Sequence, residues 1–326
     1  MKCLSKKISF FLIISVIVLS LYGCKEKEID VPYGFLSGNE KYDLEYNVLQ
    51  KNVKFFASDL CAVSSDFVDN SDIDRSMIYS AAVFDINNSN VLYAYNANMA
   101  VNPASITKIM TTLVVLDNCS LDEVVTVPDV TIYESGAQLF NIKEGDRITV
   151  ENLLYAHLVY SGNDASLALA KYVSGTEEEF CNLMNEKAAK LGCTGTHFSN
   201  SNGLTAEDHY TTAYDLYLIF SEALKYPILE QIIGTSSYEV TYTNADGEFA
   251  SRTVSSTDKF LSGEYKVPDG ITVVGGKTGS TNAAGKCLML CVKDRNGNPY
   301  IAIVMGAPDE QTLYTMMADL LDDTIN

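Results

Sequence analysis

Residues 102–113 read Asn-Pro-Ala-Ser-Ile-Thr-Lys-Ile-Met-Thr-Thr-Leu, and here the chain changes from strand to helix. Ile106, Ile109, Met110 and Leu113 recur at the three- and four-residue spacing of one helix face. Upstream, residues 78–86 (IYSAAVFDI) and 91–95 flank Asn87-Asn88-Ser89-Asn90, which predicts a β-hairpin. Downstream, Leu153, Leu154, His157 and Leu158 form a second helical face, broken at Ser161-Gly162-Asn163. Asp164 is placed to cap the Ala/Leu-rich helix that runs to Gly175. Thr176 with Glu179 has the spacing of a capping box, and Gly192 stops the helix it opens; Thr212 with Asp215 starts another in the same way. Strands are expected again over 238–242, 271–280, 288–292 and 300–305, with Asn296-Gly297 turning the last hairpin. Asp309 then caps an amphipathic helix carrying Leu313, Met317, Leu320 and Leu321. Strands, then helices, then strands and a final helix predict an α+β fold in which the first strands can join the last.

The 326 residues are 47% apolar and 20% charged, a composition too apolar for a disordered chain and sufficient for one large core. Lys plus Arg is 23 against Asp plus Glu at 42, a formal charge of −19 that argues against nucleic acid as a partner. Three histidines leave little room for a metal site, and neither metal nor cofactor is expected. Lys2, Lys6 and Lys7 precede an apolar run from Ile8 to Tyr22, the pattern of a secretory leader rather than a membrane span. The run ends in Leu21-Tyr22-Gly23-Cys24, which resembles the bacterial lipobox. Residues 1–23 are therefore expected to be a lipoprotein signal peptide, with Cys24 lipidated and the body held outside the cytoplasm on the cell membrane. Residues 24–75 read as a tether and N-terminal extension, with a helical patch over 44–56, and residues 76–326 as the folded domain. Cys61, Cys119, Cys181, Cys193, Cys287 and Cys291 remain, without a Cys-x-x-Cys pair. Cys287 and Cys291 lie roughly 13 Å apart along one strand, too far to bridge, so buried free thiols are expected.

Three short motifs carry the chemistry. Ser105 and Lys108 sit three apart on one helix face, opposite Ile106, Ile109 and Met110 and so turned away from the core. At a helix start, backbone N–H groups favour a developing oxyanion. A serine needs a base, and Lys108 can be one only if burial or a second cation lowers its pKa towards neutrality. Ser-x-x-Lys alone is weak: Ser256-Thr257-Asp258-Lys259 repeats it without an apolar helix behind it, and Ser37-Gly38-Asn39 duplicates Ser161-Gly162-Asn163. Order and context decide, because Ser105–Lys108, Ser161–Asn163 and the sole Lys277-Thr278-Gly279 follow one another in the chain.

That ordered set resembles the serine penicillin-recognising enzymes. With residues 91–98 (VLYAYNAN), 102–111 (NPASITKIMT), 153–170 (LLYAHLVYSGNDASLALA), 179–188 (EFCNLMNEKA), 198–204 (FSNSNGL), 209–216 (HYTTAYDL) and 275–287 (GGKTGSTNAAGKC), it is similar to the D-alanyl-D-alanine carboxypeptidases of peptidase family S11. The resemblance runs from about Ile78 to Leu321. It implies a β-lactamase/transpeptidase-like fold, an antiparallel sheet flanked by helices with a mostly helical subdomain. By resemblance, Ser105 is acylated and Lys108 takes its proton. Ser161 passes a proton to the leaving amine, and Asn163 holds the substrate amide and Lys108. Lys277 adds the second cation and draws the substrate carboxylate, with the Thr278 hydroxyl beside it, while Gly279 leaves space for the substrate backbone. The oxyanion hole is the backbone N–H of Ser105 and Ser280. The implied partners are peptidoglycan stem peptides ending in D-Ala-D-Ala, with β-lactams as covalent inhibitors.

Two departures from the family stand out. Relatives commonly carry a second, β-rich domain and a C-terminal anchor, whereas this sequence stops one helix after the last strand, so neither is expected. Relatives often place an Arg near the start of the final helix, but no Lys or Arg follows Arg295, which leaves Lys277 to hold the carboxylate. His157 is read as a packed core residue, His197 and His209 as structural, and Glu177-Glu178-Glu179 as a favourable helix first turn. A class A β-lactamase would add Glu-x-x-Leu-Asn, which EFCNLMN at 179–185 does not match. A non-catalytic penicillin sensor would need a membrane-crossing signalling segment, and the only apolar run is the leader.

Overall fold

Between Lys286 and Lys293 the chain reads Cys-Leu-Met-Leu-Cys-Val, with no polar residue to offer either face of a strand to water. All six side chains are buried, alternately on opposite sides of the sheet. The computed structural model describes residues 60–68 and 73–326. The leader, Cys24 and the helical patch expected over 44–56 lie outside the described residues.

Five strands form the central sheet: β1 (Ser80–Asp85), β2 (Asn90–Tyr95), β7 (Thr272–Thr281), β8 (Gly285–Lys293) and β9 (Pro299–Ala307). Their order is β2-β1-β9-β8-β7, antiparallel throughout, so the opening hairpin does join the closing strands. The intervening elements are α1 (Lys108–Asn118), β3 (Val124–Thr126), β4 (Arg147–Thr149), α2 (Val150–Leu158), α3 (Asn163–Ser174), α4 (Glu177–Leu191), α5 (Ala213–Ala223), α6 (Pro227–Ile233), β5 (Ser237–Thr243) and β6 (Phe249–Ser255). Strands β3-β4-β5-β6 make a second, smaller sheet, and α7 (Glu310–Ile325) ends the chain. The α+β class with antiparallel sheets flanked by helices is as expected.

Period-two alternation divides the core at the central sheet. Leu288, Leu290 and Val292 of β8 and Ala302 and Val304 of β9 meet Leu313, Met317, Leu320 and Leu321 of α7. Cys287, Met289, Cys291, Ile301, Ile303 and Met305 face the opposite way, into the cluster that includes α1, α2, α3 and α5. A sheet covered on both faces explains the continuous apolar runs in β8 and β9. All six described cysteines are free, and five are buried.

Capping follows the expected residues at Thr176, Thr212 and Asp309, and Thr149 caps α2 in the same way. The Thr149, Thr176 and Thr212 side chains accept from Asn152, Glu179 and Asp215 N–H, and Asp309 accepts from Thr312. Asp164 departs from its expected role. Gly162 is the N-cap of α3, and the Asp164 carboxylate, besides accepting from Ala165 N–H at 3.0 Å, is turned onto the loop between β3 and β4. There it accepts from Phe140 N–H at 2.8 Å, Asn141 N–H at 2.6 Å and Ile142 N–H at 3.2 Å. A carboxylate is acceptor-only, and the left-handed turn at Asn141 (φ 65°) gathers three amides for it.

Four elements escaped the sequence reading. Strands β3 and β4 are three residues each, too short to show a period. Phe-Ala-Ser-Arg-Thr-Val-Ser of β6 has few apolar residues, and α6 is a single short helix opened by Pro227. The boundary drawn at residue 76 also moves. Phe67 pairs with Ala94, Cys61 is buried, and its N–H and C=O bond the Tyr217 and Tyr214 hydroxyls at 2.9 and 3.0 Å. Residues 60–68 therefore belong with the folded body rather than a free tether.

Replacing Asp164 by Ala removes the acceptor for three loop amides, of which those of Phe140 and Ile142 belong to buried residues. Asp164→Ala is expected to lower stability by about 2–4 kcal/mol, because each buried orphan amide costs about 1–3 kcal/mol. Urea unfolding should show a lower midpoint at unchanged slope, with Asp164→Asn intermediate.

Candidate active site

The pattern Pro-Ala-Ser-Ile-Thr-Lys forms a 3-10 turn over Ala104–Thr107 that passes directly into α1 at Lys108. Ala104 has φ 48°, unusual for a residue with a Cβ, and it lifts Ser105 out of the buried surface. Lys108 does not turn away from the core. It is fully buried, as is every residue of α1 from Lys108 to Val115, because the helix is packed on all sides. The sequence reading failed here because a helix wrapped by other helices has no solvent face for lysine to take.

Three oxygens surround the Lys108 amine: Ser105 Oγ at 3.0 Å, Asn163 Oδ1 at 2.8 Å and the Asn202 carbonyl at 2.6 Å. Burial pushes its pKa well below the usual lysine value, the charge of Lys277 lowers it further, and Asp164 pulls weakly the other way. A neutral amine has two N–H groups and one lone pair. The carbonyl oxygens of Asn163 and Asn202 can only accept, so they take both N–H groups. The lone pair then faces the Ser105 hydroxyl, which donates its proton along the third contact.

Asn202 and the loop around it come from residues 198–204, where the sequence alone points to no catalytic role. Glu177 accepts from Ser201 N–H at 2.9 Å and Ser201 Oγ at 2.6 Å, and the Ser201 carbonyl accepts from Thr111 Oγ1 at 2.6 Å. The first glutamate of the acidic triplet therefore anchors the loop that holds the amine. Gly203 (φ 86°) passes so close to the serine turn that a Cβ there would lie 1.9 Å from the Ala104 carbonyl oxygen.

Ser161 (φ 66°, 6% exposed) lies between α2 and α3 and lines the same cleft as Ser105, while Asn163 opens α3. His157, one turn before, is spoken for. Its Nε2 donates to the Lys108 carbonyl at 3.0 Å and its Nδ1 meets Ser166 Oγ at 2.8 Å, with burial pushing its pKa well down. It is the packed core residue the sequence suggested. His209 is likewise buried, against Thr107 Oγ1 at 2.8 Å, and His197 lies at the surface.

Strand β7 closes the other wall. Thr278, Gly279 and Ser280 line the cleft, about 240 Å³ in volume, with Ser105, Ser161, Gln138, Thr257, Lys286, Glu310 and Tyr314. The space beside Gly279 is already filled, contrary to expectation. A Cβ there would lie 2.9 Å from the Pro103 carbonyl and 3.1 Å from Ser105 N, so the missing side chain lets β7 lie against the serine turn itself. Lys277 is not on the cleft wall. It is 1% exposed, donates to the Thr278 carbonyl at 2.9 Å, and is lowered to about 7 by burial, with Asp258 opposing. Asp258 is itself buried and raised to about 6.

The segment Ser256-Thr257-Asp258-Lys259, discounted in the sequence as a stray repeat of Ser-x-x-Lys, borders the site. Thr257 Oγ1 meets Thr278 Oγ1 at 2.5 Å, and Lys259 reaches Glu310 Oε1 at 2.5 Å. Lys286, Glu310, Tyr314 and Gln138 were also passed over. They come from three separate stretches, the loop at Gln138, β8 and the first turns of α7, and no short motif joins them.

A serine hydroxyl thus meets a buried lysine amine at the edge of a cleft between an antiparallel sheet and a helical lobe. The model of the D-alanyl-D-alanine carboxypeptidase family, peptidase family S11, matches residues 70–309, and the chain belongs to that family. It is 35% identical over 248 residues to the D-alanyl-D-alanine carboxypeptidase DacF of Bacillus subtilis, covering 74% of this chain and 61% of the relative. To DacC of Escherichia coli it is 30% identical, covering 73% of this chain and 59% of that one. The chain thus spans about three fifths of the length of these two relatives. Among solved structures, the Streptomyces K15 DD-transpeptidase superposes with a TM-score of 0.70 at 26% identity, covering 80% of this chain and 98% of that one.

Gly203→Ala should disturb both the loop that carries the Asn202 carbonyl and the serine turn. A forced Cβ in a packed site costs about 1–3 kcal/mol, which should lower the thermal midpoint by roughly 2–10 °C in a domain of this size. Calorimetry of the purified variant measures it.

Proposed function

We propose that this protein is a serine D-Ala-D-Ala carboxypeptidase, which removes the last D-Ala from peptidoglycan stem peptides through an acyl-enzyme on Ser105. The observation that carries the reading is the Lys108 amine, buried, with two carbonyl acceptors and the Ser105 hydroxyl as its three polar contacts. The names of the relatives, carboxypeptidases from two bacteria, point the same way.

In this reading Ser105 Oγ attacks the carbonyl of the penultimate D-Ala as its proton passes to Lys108 Nζ. The oxyanion forms against the backbone N–H groups of Ser105 and Ser280, a reading supported by the close approach of β7 to the serine turn at Gly279. Collapse breaks the peptide C–N bond. The proton returns through Ser161 to the amine of the departing D-Ala. Water, deprotonated by the same lysine, then cleaves the ester and regenerates Ser105. Asn163 orients both Lys108 and the substrate amide. Lys277 acts on Lys108 by its charge, keeping the amine deprotonated. A β-lactam would acylate the same serine, and its ring-opened leaving group would stay attached in the cleft.

Incubation with a peptide ending in D-Ala-D-Ala should release D-Ala, and mass mapping after penicillin should place the adduct on Ser105. An adduct on Ser256, or rapid penicillin turnover without D-Ala, would overturn the reading. Covalent adduct with no D-Ala release at all would instead indicate a sensor.

The pH profile tests the base. Lys108 is held below its ordinary pKa, so activity should rise with pH as the ammonium loses its proton. Lys277→Met removes a cation that favours the neutral amine, so the rising limb should move to higher pH. A limb that stays in place would show that Lys277 does not act on Lys108.

We further propose that Cys24 is lipidated and that the domain works outside the cytoplasm on the cell membrane, supported by the basic start, the apolar run and Leu-Tyr-Gly before the cysteine. Cys24→Ala should release the protein from the membrane fraction. Unchanged fractionation and mass would refute the lipid anchor.

A further inference from the structure

The wall of the cleft facing Ser105 contains a cation to which no catalytic part has been given. Ser280 and Lys286 are direct partners across the β7–β8 ladder, so their side chains stand on the same face of the sheet. Thr278, two residues before Ser280, shares that face, whereas Lys277 alternates to the other side and is buried. The cleft therefore presents the Thr278 hydroxyl, the Ser280 hydroxyl and the Lys286 ammonium in one row, with Lys286 Nζ donating to Ser280 Oγ at 2.9 Å.

The charges around that row are arranged unequally. Glu310, at the start of α7, lines the same cleft, and would repel an anion there. Its carboxylate is occupied by Lys259, at 2.5 Å, and Lys259 also holds Glu264 at 2.8 Å. Among the described residues no carboxylate pairs with Lys286. Lys259, shared with Glu264, offsets part of the Glu310 charge, while Lys286 keeps its own, so an anionic group is favoured at the Lys286 end of the row, next to two hydroxyl donors.

We infer that Lys286, with the Ser280 and Thr278 hydroxyls, recognises the C-terminal carboxylate of the substrate, and that Lys259 positions Glu310 and weakens its opposition to that carboxylate. The inference rests on the carboxypeptidase reading. It assigns the carboxylate to a residue of β8 in place of the buried Lys277 and of an arginine on the final helix.

The test compares a peptide ending in D-Ala-D-Ala as the free acid with the same peptide as its C-terminal amide, following kcat/KM for each. Wild type should favour the acid by at least tenfold. In Lys286→Met the acid should lose at least tenfold more than the amide, chiefly through KM, and Lys286→Arg should keep the preference. Lys259→Met should weaken the acid selectively by uncovering Glu310, and adding Glu310→Gln should restore it. An acid-to-amide ratio unchanged in Lys286→Met overturns this inference while leaving the carboxypeptidase reading intact. If wild type cleaves neither peptide, the carboxypeptidase reading falls and the assignment of Lys286 falls with it.

Discussion

Lys108 carries its amine to a point that water does not reach, and every wall of the site is fixed by what that amine needs. An ammonium ion is costly to bury, and burial, with Lys277 nearby, shifts the balance to the free amine. The free amine still requires partners for two N–H groups. One comes from Asn163 at the start of α3, the other from the Asn202 carbonyl. The lone pair left over meets Ser105. Three segments far apart in the chain are thus brought to one nitrogen, and displacing any of them leaves a buried polar group without a partner.

The supports extend outward from that nitrogen. Glu177 fixes Ser201 and so the carbonyl of Asn202; Gly203 lets the loop touch the serine turn; Gly279 lets β7 touch it from the other side. Asp164 ties α3, and with it Asn163, to the loop at 140–142. The positive φ angles at Ala104 and Ser161 are local costs of the order of 1–3 kcal/mol each, one immediately before Ser105 and the other at Ser161 itself. Such strain persists only in a rigid surround, which the central sheet supplies by being packed on both faces.

Much of the fold was legible in the sequence because apolar periodicity is a local property. The hairpin of β1 and β2, the helices opened by Thr176 and Thr212, and the two-faced strands β8 and β9 follow from residues within one element. The short strands β3 and β4 and the helix α6 were not legible, since three to seven residues carry too little pattern. Of the site, Ser105, Lys108, Ser161, Asn163 and the Lys277–Ser280 run were found by motif and order. Thr257, Asp258, Lys286 and Glu310 were missed, because each owes its place to strand pairing or to α7 packing on the sheet.

The sequence by itself determined the alternation of strands and helices, the caps, the free state of Cys287 and Cys291, and which hydroxyls and amines could do chemistry. Spacing and side-chain type suffice for these. Tertiary structure alone decided that Lys108 is buried on all sides, that Asp164 gathers a distant loop as well as an amide of its own helix, that the room beside Gly279 belongs to the serine turn, and that Lys286 stands in the cleft while Lys277 lies behind it. Each of those depends on which surfaces exclude water and which strands lie side by side, and desolvation and cross-strand contact are properties of the assembled chain.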